Sequence, residues 1–258
     1  MTDLLKNYRR AAKLGNARAQ FALGLAYDRG EGVPENRTKA LKWYHLAAEQ
    51  GHARAQFELG VAYSFGEGVE ENQVEAFKWH LLAADQGYAP AQYNLGCAYS
   101  SGEGVKKDPA KAAEWFRRAA EQGDAQARFN LGLLYALGRG VKKNQAEAVK
   151  LYQEAAQQGI AQAQHNLGVI HASGDGVEED KAKAAEWYRL AAEQGYAPSQ
   201  FNLGLAYSLG QGVEKDLAKA AKYYCLAAEQ GETKTQFILG LAYALEQGND
   251  NYQTLYYH

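Results

Sequence analysis

The chain is poor in several residue types that would point to particular folds or partners. Its 258 residues include two cysteines, four prolines and one methionine. Cys97 and Cys225 lie 128 residues apart, too sparse for the disulfide framework of a secreted mini-domain, so reducing surroundings suit the chain. No stretch approaches the roughly eighteen consecutive apolar residues of a membrane span, so no membrane insertion is expected. The opening "MTDLLKNYRRAAKLG" also lacks the apolar core of a secretion signal. A cytoplasmic location is the expectation, with an export segment already removed as the alternative. Charge of either sign is not in excess: 28 Lys and Arg stand against 30 Asp and Glu, which removes electrostatic support for a nucleic-acid partner.

What the chain does have is repetition. Gly15, Gly51, Gly87, Gly123, Gly159, Gly195 and Gly231 recur every 36 residues without an insertion. A period of this size marks stacked supersecondary units, each unable to bury its apolar face alone. With each such glycine as offset 0, offset 8 is always Leu and offset 9 always Gly, as in Leu203 and Gly204. Recurrent apolar positions at offsets 4, 8, 11 and 12 have helical spacing and define a first helix, A. Pro90 and Pro198 fit its first position, where a missing N–H costs nothing.

A cap-forming Asn or Asp follows at offset 21: Asn36, Asn72, Asp108, Asn144, Asp180 and Asp216. Behind it, Ala at offsets 25, 32 and 33 and large residues at 28 and 29 outline helix B. Trp43, Trp79, Trp115 and Trp187 all occupy offset 28. Between the helices, "GEGV" and its variants repeat as a tight reversal. A phosphate-cradling role is rejected, because such loops follow a strand and open a helix.

The units read as a half repeat at 1–14 (helix B), full repeats at 15–50, 51–86, 87–122, 123–158, 159–194 and 195–230, a half repeat at 231–245 (helix A) and a tail at 246–258. The whole 1–258 is taken as one all-α repeat domain. Tyr252, Leu255, Tyr256 and Tyr257 of the tail are candidates to fold back as a partial cap.

The Leu-Gly-x-x-Tyr helix, the "GxGV" reversal, the Asn/Asp cap and the "KAxxWYxxAAEQG" helix together resemble the Sel-one-like repeat (SLR) family, a relative of the tetratricopeptide repeat. The resemblance runs over residues 15–245. It implies an α-solenoid, a right-handed superhelix with A helices on the concave wall, and a non-catalytic scaffold binding proteins or peptides. Secreted relatives with a cysteine pair in each repeat are linked to β-lactam binding. This chain has no such pairs.

No enzyme signature emerges from the residues. His165 and His171 replace aromatics at offsets 6 and 12 and project about 120° apart on one helix, so they do not converge on a metal. His80 takes the aromatic offset 29. No serine or cysteine has a local base with an orienting acid, and the carboxylates fall on solvent-facing positions. No cofactor, metal or catalytic residue is expected. A hydrolase acting on β-lactams or cell-wall fragments and an assembly factor contacting through its ends, with self-association there, remain as alternatives.

Positions that vary among otherwise identical units are free of packing demands. Offsets 3, 7, 10 and 14 fall within about 60° on helix A and form one variable stripe. Offset 7 carries an amide in four consecutive repeats, Asn94, Asn130, Asn166 and Asn202. An amide both donates and accepts, so it can pair with the peptide unit of an extended guest chain. In tetratricopeptide relatives, the Asn before Leu-Gly contacts bound peptides. Arg18, Arg54, Gln126 and Gln162 at offset 3 join these four as candidate contacts. A second candidate is a basic loop patch of Lys106, Lys107, Arg139, Lys142 and Lys143, flanked in sequence by acidic loops at Glu70, Glu71, Glu178 and Glu179, that could steer an acidic partner.

Overall fold

The computed structural model of the chain describes residues 3–231, of which every regular element is an α-helix. The sequence candidates from residue 232 onward, the tail tyrosines included, lie outside the described residues. Two compact units divide the chain, residues 1–143 and 144–258. The first holds α1 (Asp3–Lys13), α2 (Ala17–Arg29), α3 (Arg37–Glu49), α4 (Ala53–Phe65), α5 (Gln73–Asp85), α6 (Ala89–Ser101), α7 (Pro109–Glu121) and α8 (Ala125–Leu137). The second holds α9 (Gln145–Gln157), α10 (Ala161–Ser173), α11 (Lys181–Glu193), α12 (Ala197–Leu209) and α13 (Leu217–Glu229). Within each unit every helix packs on the next in sequence, so the even-numbered A helices and odd-numbered B helices form serial hairpins.

The local signals act as expected. Each offset-21 Asn or Asp is an N-cap whose side chain accepts a backbone N–H of the first turn, as Asn36 does from Lys39 at 2.8 Å. In Asn36, Asn72, Asp108, Asp180 and Asp216 the cap's own N–H also donates back to helix A, Asn36 to the Tyr27 carbonyl at 2.7 Å, which fixes where the reversal closes. Helix A begins one residue earlier than the proline reading places it. Ala89 and Ala197 open α6 and α12, which puts Pro90 and Pro198 second, where the N–H still has no intrahelical partner.

Both glycines of the reversal are needed. Gly102 and Gly104 have φ of 93° and 68°. A Cβ on Gly104 would also run into the Gln73 carbonyl at the start of α5, so the loop lies directly on the preceding repeat. The valine that follows joins the core: Val69 packs with Ala40, Leu41 and Tyr44.

The core itself explains the invariant Leu-Gly. The offset-8 leucines are the largest side chains fully removed from solvent, among them Leu59, Leu95 and Leu167. Gly24, Gly60, Gly96, Gly168 and Gly204, beside five of these leucines, are each a slot for the ring at offset 29. A Cβ on Gly96 would stand 2.5 Å from Phe116, and one on Gly204 2.9 Å from Tyr224. A second ring at offset 6 tilts over the same one, as Phe57 does over His80 at 5.5 Å and Phe201 over Tyr224 at 5.8 Å.

A polar device runs beside this core. Gln56 and Gln164, both buried on A helices, donate to the carbonyls of Ala48 and Ala156 at 3.0 and 3.1 Å. Each in turn accepts from the glutamine that ends its own repeat's B helix, Gln86 and Gln194, at 2.7 Å. Gln20, Gln92 and Gln200 do the same with Gln50, Gln122 and Gln230. Buried amides bonded at both ends tie three helices together at little desolvation cost.

Candidate functional site

With leucine, glycine and ring consumed by packing, the stripe at offsets 3, 7, 10 and 14 faces away from the core. Phe65, Leu137 and Leu209 at offset 14 are 73%, 56% and 56% exposed, large apolar side chains that the fold leaves uncovered. Val169 and Leu205 at offset 10 are also exposed.

Three cavities open on this stripe, and each has an offset-7 asparagine in its wall. In the first unit, one of about 250 Å³ is lined by Val61, Phe65, His80, Asn94 and Cys97, among others. A larger one of about 530 Å³ includes Phe116, Asn130, Leu133 and Leu137. In the second unit, one of about 100 Å³ includes Tyr188, Asn202 and Leu205.

The four amides are half-buried rather than wholly free, because each leans on a ring of the scaffold. Asn94 Nδ2 lies 3.2 Å from His80 Nε2, and Asn130 Nδ2 donates to Tyr93 Oη at 3.5 Å. Asn166 and Asn202 hydrogen-bond the hydroxyls of Tyr152 and Tyr188, where burial pushes each phenol up to about 12 while the amide pulls it down. An asparagine has two N–H donors and a two-lone-pair acceptor, so one such bond leaves the amide able to meet a guest.

The first repeats differ at this position. Ala22 has no amide, and Glu58 is a half-buried carboxyl raised by burial and by the nearby Asp28 carboxylate. Asp28 itself pairs with Arg37, which also reaches Glu67 at 3.0 Å.

The offset-3 candidates lie apart from the cavities. Arg18, Arg54 and Gln162 are exposed and Gln126 half-buried, and none lines the three cavities. Arg54 stacks on the Phe21 ring at 5.1 Å, a packing role the sequence did not predict. The basic loop patch divides. Lys107 and Arg139 line the 530 Å³ cavity with Asn130, whereas Lys106, Lys142 and Lys143 are exposed and outside it.

His80 and His165 serve packing, and His52 caps α4 by accepting the Ala55 N–H at 3.3 Å. His80 is 5% exposed against Gly60, and burial lowers its pKa to about 4, so it stays neutral. His165 Nδ1 hydrogen-bonds Ser199 Oγ at 2.9 Å; Ser199 stands where the other described A helices carry Ala and is fully buried. Cys97 and Cys225 are free thiols. Among the described residues no three His, Cys, Asp or Glu side chains group as metal ligands, and no helix is long and apolar enough to cross a membrane.

Serial helical hairpins of 36 residues with this cap, slot and reversal define an α-solenoid of the tetratricopeptide-like class. The chain belongs to the Sel1 repeat family, which matches it at residues 5–16, 17–52, 53–88, 89–124, 125–160, 161–196 and 197–232. A crystal structure of a protective antigen from uropathogenic Escherichia coli strains, displaying an SLR fold, is 39% identical with a TM-score of 0.88. The match covers 95% of this chain and 52% of the antigen, so the chain spans about half the antigen's length. A Sel1 repeat protein from Oxalobacter formigenes is 40% identical with a TM-score of 0.75, over 83% of this chain and 85% of that one. An immunity protein from Pseudomonas aeruginosa shares the fold at 22% identity and a TM-score of 0.51, over 83% of this chain and 80% of that one. No curated protein matches the chain significantly. Sel1 repeat proteins are generally protein-interaction scaffolds and typically non-catalytic.

Proposed function

We propose that the chain is a non-catalytic scaffold that binds an extended segment of a partner protein along its A-helix face, the side the family resemblance makes concave. The observation that carries this reading is the repeated combination of an uncovered apolar stripe with an asparagine in the wall of each cavity that opens on it. Within each unit packed helices stand about 10 Å apart and an extended chain advances about 3.3 Å per residue, so a guest presents roughly three residues to each repeat of that unit. Amides at that interval grip backbone whatever the guest's sequence, and the side chains at offsets 10 and 14 choose among guests.

The test is binding of peptides selected from a random displayed library, measured on the native chain and on the variant Asn130→Ala, Asn166→Ala, Asn202→Ala. Each truncation removes a hydrogen-bonding amide of about 1 kcal/mol, so the triple variant is expected to bind at least about tenfold more weakly. Undiminished affinity in a folded triple variant would overturn the amide reading.

A further inference from the structure

We infer that the cavity between α6, α7 and α8 takes an acidic segment of a partner protein, an Asp or Glu carboxylate beside a large apolar side chain. The inference rests on the reading of the A-helix face as a peptide site and names what one stretch of it selects.

Lys107 and Arg139 line this cavity together with Asn130, over an apolar wall of Phe116, Leu133 and Leu137. Both cations are exposed, and among the described residues neither has a carboxylate within ion-pair distance. Lys106, Lys142 and Lys143 on the same two loops are likewise exposed and unpaired, which extends the positive field around the mouth. The equivalent loop positions in two other repeats are Glu70, Glu71, Glu178 and Glu179, so the positive sign belongs to this stretch and not to the repeat.

The neighbouring cavity supplies the contrast. It has Asn94 and the same apolar character, but Glu103 in its wall and no Lys or Arg. A carboxylate entering there meets repulsion; one entering beside Lys107 and Arg139 meets a guanidinium fork and an ammonium, a solvent-screened attraction that adds to burial of the neighbouring side chain on Leu133 and Leu137. The cavity's 530 Å³ against 250 Å³ next door leaves room for a large apolar side chain on Leu133 and Leu137.

The experiment selects a random dodecapeptide library displayed on phage against the full chain, then measures the most enriched peptide by fluorescence anisotropy. Enriched sequences are expected to carry Asp or Glu next to Leu, Ile or Phe. The exposed-site variant Lys107→Gln with Arg139→Gln should weaken binding about tenfold or more, and added salt should weaken it further. The control Lys142→Gln with Lys143→Gln, outside the cavity, should stay within about twofold. Enriched peptides without acidic residues, or unchanged affinity in the Lys107 and Arg139 variant, would overturn the inference. If that affinity still falls in the triple asparagine variant, the acidic preference alone fails and the peptide face stands; if it falls in neither, both fail. Sedimentation velocity covers the remaining occupant. Self-association of the native chain that Lys107→Gln with Arg139→Gln abolishes would assign the cavity to an acidic loop of a second copy and overturn the partner segment.

Discussion

The two units repeat one hairpin and present different surfaces. In the first, Asn130 shares its cavity with Lys107 and Arg139; in the second, Asn202 shares a smaller one with Lys181 and Gln211. The slot beneath is alike in both, Gly96 under Phe116 and Gly204 under Tyr224, and so are the glutamine pairs. An array of equal units holds its packing residues constant because each meets the same neighbour, which leaves one face free to differ from unit to unit.

The sharpest way to break this comparison is to fill the slots. Gly168→Leu drives a side chain into Tyr188 and should cost about 3 kcal/mol or more by overpacking, read by urea denaturation. Gly204→Leu should cost less, because its ring stands farther off, at 2.9 Å. No loss at either position would show that the glycine is not the slot.

The first unit alone has a histidine in the slot, and that predicts a pH dependence. His80 titrates near 4 when folded and in the ordinary histidine range when unfolded. The unfolded chain therefore binds the extra proton, and stability is full above about pH 6.5 and declines as pH falls toward 4, by about 3 kcal/mol. His80→Phe, which copies Phe116, should flatten that part of the profile in chemical denaturation measured across pH. A profile unchanged by the substitution would contradict the buried neutral imidazole.

The glutamine pairs should behave alike in both units. Gln56→Leu and Gln164→Leu each remove two side-chain hydrogen bonds while the alanine carbonyl keeps its backbone donor and the donating glutamine stays exposed, for a loss of about 1.5 kcal/mol in thermal or urea unfolding. The smallest expected effect is at the caps, where Asn36→Ala should cost about 1 kcal/mol. In the second unit the caps Asp180 and Asp216 are acids held below the usual carboxylate range, first by the backbone N–H groups of Lys183 and Lys219. Their contribution is present above the ordinary Asp pKa and lost as pH falls through the lower folded value, whereas Asn36 shows no such loss.

Most of the fold was legible in the sequence because its signals are local and repeat in register. Caps, positive-φ glycines and apolar spacing each point to one conformation, and six copies average out the exceptions. The amides were legible as a variable stripe, but their bonds to His80, Tyr93, Tyr152 and Tyr188 were not, since those partners are 14 to 37 residues away. The glutamine pairs had a visible signal in the recurrent Gln at offsets 5 and 35. Polar residues on a helix read as solvated until a partner 30 residues distant is placed beside them. Ser199 carried a weaker signal, a single departure from Ala that makes sense only once His165 stands next to it. The meeting of Lys107 and Arg139 with Asn130 in one cavity likewise needed the packing of α6 on α8.

The central claim is that the A-helix stripe, and not the B helices, receives the partner. The direct measurement is photo-crosslinking of a library-selected peptide carrying a benzophenone side chain, with the attachment sites read by mass spectrometry. Adducts on Cys97, Leu133, Leu137, Val169 or Leu205 are predicted; adducts confined to exposed B-helix residues such as Leu46, Leu82 and Leu190 would contradict the claim.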